Sequence, residues 1–165
     1  DGVVIGNVTD KAALSNPVER WLVGRFDRVL REELDAVQPR RVYEVGCGEG
    51  RLATTITQAY DVPYVGSDFS CAVLAEAEAR ALPQATFEER DVYALTASPA
   101  TRDVVVCCEV MEHLDDPERA LEVLRGLEGR AYLLSVPCEP LWRVLNLARL
   151  SYVDDRGNTD RKSVV

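Results

Sequence analysis

The stretch that decides the fold is Val42-Tyr43-Glu44-Val45-Gly46-Cys47-Gly48-Glu49-Gly50-Arg51. A short apolar strand starting at Arg41 empties into three alternating glycines, and a helix follows from Arg51 to Tyr60. Glycine permits positive φ and leaves no Cβ between the backbone and a ligand. A strand, a glycine-rich turn and a helix in that order are built to receive a nucleotide-like molecule. The G-x-G pair alone is common in turns, and its strand-to-helix setting is what gives it weight.

Working outward, strand and helix patterns alternate, the signature of a parallel sheet with crossover helices. Upstream, Asn16-Pro17 can open a helix in which Trp21, Leu22, Phe26, Val29, Leu30, Leu34 and Val37 recur at helical spacing, ended by Gln38-Pro39. Downstream, strands are expected at Val62–Ser67, Ala85–Arg90, Asp103–Cys108 and Arg130–Val136. Helices are expected at Phe69–Ala81, at Pro117–Leu127 with Asp115 or Asp116 as cap, and at Leu141–Leu150. The Val104-Val105-Val106 run reads as a strand buried on both faces.

Two acids stand at strand ends. Asp68 ends the second strand, 18 residues after Gly50, where a carboxylate can accept both hydroxyls of a ribose. Asp91 ends the third strand, so the tips of three strands face one crevice. A dinucleotide reading, with a nicotinamide oxidoreductase behind it, fails on spacing. The fingerprint is G-x-G-x-x-G, whereas here Gly46-x-Gly48-x-Gly50 is followed by Arg51. Glu44 would sit badly beside a pyrophosphate and suits a ligand with a cationic amino group and a sulfonium.

With these residues in view, Val42 to Gly50 resembles motif I of the class I S-adenosylmethionine-dependent methyltransferases. Asp68 resembles that family's ribose-binding acid, and Asp91-Val92 resembles its adenine-contacting motif. The resemblance covers roughly residues 40 to 136. It implies a Rossmann-like α/β fold, of which the residues give five parallel strands with flanking helices, and S-adenosylmethionine as cofactor. The cofactor-binding residues it implies are Glu44, Gly46, Cys47, Gly48, Gly50, Asp68, Phe69, Asp91, Val92 and Glu109, with Phe69 packing on the adenine.

After the fourth strand comes Glu109-Val110-Met111-Glu112-His113-Leu114. In one helical turn Glu109, Glu112 and His113 fall on one face, where they could hold a divalent cation. This E-x-x-E-H pattern resembles the metal-binding segment of small-RNA 2′-O-methyltransferases of the Hen1 type. It also resembles the matching segment of the ubiquinone-pathway O-methyltransferases. Many class I enzymes carry a similar stretch that shapes the cofactor pocket with no metal, and His113 is the chain's only histidine. His113 could instead take a proton from a substrate hydroxyl, or bond a backbone carbonyl as a structural residue.

Ser135-Val136-Pro137-Cys138-Glu139-Pro140-Leu141-Trp142 resembles the S-V-P-x-E-P-x-W stretch of a bacterial, small-molecule branch of the family, with Gly157-Asn158-Thr159 in the expected order. Trp142, Leu145 and Asn146 are candidates for the acceptor side. The whole chain reads as one domain: residues 1–40 a helical region, 41–136 the cofactor-binding core, 137–165 a shortened end. The family's C-terminal antiparallel hairpin is expected to be missing. The fifth strand, centred on Leu133-Leu134, is then an edge to be covered, either by the Leu141–Leu150 helix or by a partner chain, as in a homodimer through that strand or that helix.

Charge and composition bound the partners. Net charge is −9, and residues 41–140 hold 8 Lys/Arg against 18 Asp/Glu. That acidic middle repels a phosphate backbone, so a small-molecule acceptor is expected rather than nucleic acid. No apolar run approaches the roughly 18 residues that cross a bilayer. The five cysteines are odd in number and contain no C-x-x-C pair, which points to a reducing cytoplasm rather than a disulfide framework. The expected activity is methyl transfer to a small molecule, at oxygen. The alternatives are a shortened methyltransferase-like domain without turnover and a metal-dependent RNA 2′-O-methyltransferase.

Overall fold

The computed structural model describes residues 17–137. The chain divides into two units, 1–135 and 136–165, and of the second only Val136 and Pro137 fall among the described residues. The Leu141–Leu150 helix, the Gly157–Thr159 loop and the acceptor candidates Trp142, Leu145 and Asn146 lie outside them.

Among the described residues four helices and five strands alternate: α1 (Pro17–Val37), β1 (Val42–Val45), α2 (Arg51–Ala59), β2 (Tyr64–Asp68), α3 (Cys71–Ala79), β3 (Ala85–Glu89), β4 (Val104–Cys108), α4 (Pro117–Gly126) and β5 (Ala131–Ser135). All four strand pairings are parallel, and the sheet order is β3-β2-β1-β4-β5. The Rossmann-like sheet expected from the sequence is therefore formed. Strand order reverses between β1 and β4, the switch point beside which such sheets bind ligands.

Every residue of β1 is buried, and so are Val104 to Cys107 of β4, as a central parallel strand with helices on both faces requires. Alternate side chains sort into two layers. On one face Val42, Tyr64, Val104 and Val106 meet Leu30 and Leu34 of α1 and Leu52, Ala53 and Ile56 of α2. On the other, Tyr43, Val45, Val105 and Cys107 meet Leu124 and Leu127. Each such Val, Leu or Ile contributes roughly 1.5–3 kcal/mol by leaving water. The helix α1 stripe is buried in part only: Trp21 is 61% exposed and Val29 45%, while Leu34 is fully enclosed.

Local chemistry sets the boundaries. Asp116, not Asp115, caps α4 by accepting from Arg119 N, with Pro117 at the first helical position. Helix α3 starts at Cys71, later than expected, because Phe69 and Ser70 are spent turning out of β2. Asp91 starts a short 3₁₀ turn, Val92–Ala94, that the periodicity does not announce; its carboxylate accepts from Tyr93 N.

Candidate cofactor site at the strand tips

The turn after β1 is held down by its neighbour β2. Gly46 N and Cys47 N both donate to Ser67 O, at 2.7 and 3.0 Å. Gly48 N donates to Asp68 Oδ2 at 3.0 Å, while Asp68 Oδ1 accepts from Ser70 N at 3.0 Å. One carboxylate thus ties the glycine turn to the start of α3. It keeps further lone pairs, since an ionised carboxylate has about four acceptor sites. Asp68 therefore shapes the turn itself.

The three glycines are left-handed, with φ of +73°, +52° and +75° at Gly46, Gly48 and Gly50. They serve different ends. A Cβ on Gly46 would collide with Cγ2 of Val110, whereas a Cβ on Gly48 would meet nothing within 4 Å. Gly46 is glycine for packing, and Gly48 turns a bare backbone face to open space. Gly50 stands at the N-cap of α2, its N–H donating to Cys47 O at 3.0 Å. That is the form of a cradle for a ligand that approaches the backbone closely.

Glu44 lies deeper than expected. It is only 2% exposed and its carboxyl bonds the Tyr64 hydroxyl. Burial pushes its pKa up to about 7, against the lowering effect of the Tyr64 bond and of Arg51. Arg51 does not neutralise it directly, because its guanidinium is 2.6 Å from Asp27 of α1. Cys47 is buried under the turn, and desolvation raises its thiol pKa well above the ordinary value. Phe69, directly after Asp68, is 56% exposed, an aromatic face beside the turn. Asp91 and Val92 stand at the tip of β3, with one Asp91 oxygen spent on the 3₁₀ turn.

The Glu109–His113 segment departs from its expected shape. Glu109 has φ of +58°, and the helical turn begins only at Met111 as a 3₁₀ turn, Met111–His113. The single α-helical turn that would align Glu109, Glu112 and His113 is therefore not formed. Glu109 points to β5, where its Oε1 accepts from Ser135 Oγ at 2.9 Å. His113 Nε2 lies 3.9 Å from Glu112 Oε1, with the histidine side chain 53% exposed. Among the described residues no three His, Cys, Asp or Glu side chains converge as a metal set.

Several residues that shape the site carry no sequence signal of their own. Tyr64, Ser67, Val110 and Ser135 read simply as strand or loop positions. Their roles arise from which strand lies next to which.

The methyltransferase-domain family matches residues 42–127. The ubiquinone biosynthesis O-methyltransferase of Albidiferax ferrireducens is 32% identical over 161 residues, covering 86% of this chain and 64% of that protein. The enzyme of the same name from Paracidovorax citrulli is 36% identical over 99 residues, 57% of this chain and 41% of its own. The chain thus spans less than two thirds of these relatives. Among solved structures, magnesium protoporphyrin IX methyltransferase of Synechocystis PCC 6803, with bound SAH, superposes with a TM-score of 0.62 at 20% identity, covering 88% of this chain and 69% of that one. The methyltransferase domain of a bacterial Hen1 protein gives 0.58 at 22% identity, covering 68% and 65%. With the sheet order, the glycine turn and the family match together, the chain belongs to the methyltransferase-domain family, as a class I S-adenosylmethionine-dependent member.

Proposed function

We propose that this domain binds S-adenosylmethionine across the tips of β1, β2 and β3 and directs its methyl group to an oxygen of a small molecule. The observation that carries the reading is the glycine turn, locked by Asp68 with Gly48 open to solvent at the switch point. In this reading the backbone of Gly46 to Gly50 supports the methionine and ribose portions. Asp68 accepts from the ribose hydroxyls, Phe69 packs on the adenine, and Asp91 and Val92 read its edge. Glu44, from its buried place behind the turn, favours a cationic ligand.

The sulfonium methyl is already electrophilic when the cofactor is bound, so alignment of the acceptor supplies much of the rate. Oxygen as acceptor atom, and a small-molecule acceptor, draw support from the ubiquinone biosynthesis O-methyltransferases among the relatives. The acidic middle of the chain points the same way. Among the described residues no helix is long and apolar enough to cross a membrane. A cytoplasmic enzyme fits the thiols, all four described cysteines being free. A homodimer through β5 fits its exposed Leu134 and the adjoining Val136; a light-scattering mass of one chain would contradict it.

Calorimetric titration with S-adenosylhomocysteine, with NADH as control, tests the cofactor assignment. Saturable binding of the first and none of the second is expected. Binding of NADH alone overturns the reading.

A further inference from the structure

Four described residues other than glycine have a left-handed backbone: Gln38, Ala81, Glu109 and Glu128. Three of them follow helix ends, after Val37 of α1 and after the C-cap residues Arg80 of α3 and Leu127 of α4, just beyond those helices, where a left-handed residue commonly closes the last turn. Glu109 follows a strand. No helix end demands its conformation, which is unfavourable for a side chain bearing a Cβ.

Its neighbours hold it there. Glu109 N donates to Ser135 O at 3.1 Å, extending the β4–β5 pairing by one bond. Ser135 Oγ donates to Glu109 Oε1, which fixes the carboxylate through one oxygen and presents the other as an acceptor. The next residue, Val110, packs against Gly46, so the β4 tip is seated on the glycine turn itself. A strained acidic residue is therefore oriented by β5, one residue before the Val110 side chain that packs on the turn proposed to carry the cofactor.

We propose that Glu109 is a catalytic residue that takes the proton of the acceptor's hydroxyl, with Ser135 as its positioning residue. The inference rests on the methyl-transfer reading and assigns Glu109 to the acceptor rather than the cofactor. In the step, the acceptor O–H bond breaks and its proton passes to the Glu109 carboxylate. The oxygen lone pair forms the new O–CH₃ bond as the C–S bond breaks, its electron pair staying on sulfur. The proton then leaves Glu109 for water. Such a site selects a neutral hydroxyl, phenolic or enolic, and disfavours a carboxylate acceptor, which Glu109 would repel.

The test uses the full chain and three variants, Glu109→Gln, Glu109→Ala and Glu109→Gly. Titration with S-adenosylhomocysteine should give E109Q an affinity within about threefold of the parent. Methyl transfer to catechol should fall ~100-fold in E109Q, the scale of a lost general base. The loss should be far smaller with 4-nitrocatechol, whose acidic hydroxyl is already ionised near neutral pH. Equal losses on both phenols, or no loss on either, overturn the proposal. So does a collapse of S-adenosylhomocysteine affinity in E109Q, which would make Glu109 a cofactor ligand. A readout independent of turnover tests the strain: E109G should melt above E109A, and equal melting temperatures would remove that support. A parent chain that does not bind S-adenosylhomocysteine would count against the methyl-transfer reading, and the same titration reports it.

Discussion

Two neighbouring strands leave the sheet in the same unusual way and for opposite reasons. β1 exits through Gly46 and β4 exits through Glu109, and both residues have a left-handed backbone. At β1 the conformation is met by a residue that adopts it without strain, and the side chain is dispensed with so that Val110 can pack there. At β4 the same conformation is imposed on a glutamate, and Ser135 is set to hold its carboxylate. The acid belonging to β1, Glu44, is withdrawn into the core against Tyr64, whereas the acid at β4 is only partly buried. The difference teaches what each exit is for. In the proposed function one offers backbone to a ligand, and the other offers a carboxyl group.

The comparison can be broken most severely at Gly46. Gly46→Ala adds a Cβ against Val110 in a left-handed residue, and about 3 kcal/mol of stability should be lost. Urea denaturation measures it, and a loss near zero would mean the two exits are not packed together as described.

Glu44 sharpens the contrast between the two acids. Its pKa is raised from the ordinary 4.5 to about 7 in the folded chain. Below the lower value both states hold the proton. Between the two values the unfolded chain ionises first, so this group's contribution to stability falls as pH rises through that window, by ~3 kcal/mol at most. Above about 7 it no longer changes. Stability of the parent minus that of Glu44→Gln, followed by denaturation across this range, should show that decline; a flat difference would place Glu44 in contact with water.

Asp68→Ala removes the acceptor for Gly48 N and Ser70 N and, in the proposed function, the ribose contact. S-adenosylhomocysteine affinity should drop ~30-fold or more, on the scale of hydrogen bonds to a charged group. An unchanged dissociation constant would defeat the ribose assignment. The smallest effect is expected from Gly48→Ala. Its Cβ meets nothing, so only about 1 kcal/mol of backbone cost is expected in stability. Cofactor affinity should nevertheless fall, which would separate the glycine proposed to face the ligand from the packing one.

Most of the fold was legible because burial writes itself into composition. The Val104-Val105-Val106 run, the alternation of strand and helix, and Pro117 after an acidic cap all read correctly. The glycine turn was legible for a related reason, since three alternating glycines between a strand and a helix suit a tight, left-handed turn and little else. The E-x-x-E-H segment misled, because helical spacing predicts a turn that includes Glu109 and nothing in the residues announces a left-handed backbone there. That conformation comes from pairing with Ser135, 26 residues away, which appears only once β4 and β5 lie side by side. Asp68 was read as a ligand contact, while its hold on Gly48 depends on the placement of β1 beside β2. Trp21, at helical spacing with core residues, is exposed because spacing gives a face but not which part of it is covered.

The central claim is that the exit of β1, with the tips of β2 and β3, is where the cofactor lies. Amide chemical-shift mapping of the ¹⁵N-labelled chain, titrated with S-adenosylhomocysteine, tests it most directly. The account predicts the largest changes at Gly46 to Gly50, at Asp68 to Ser70 and at Asp91 and Val92. Shifts centred instead on the opposite end of the strands, around Arg41, Asp103 and Arg130, would contradict it.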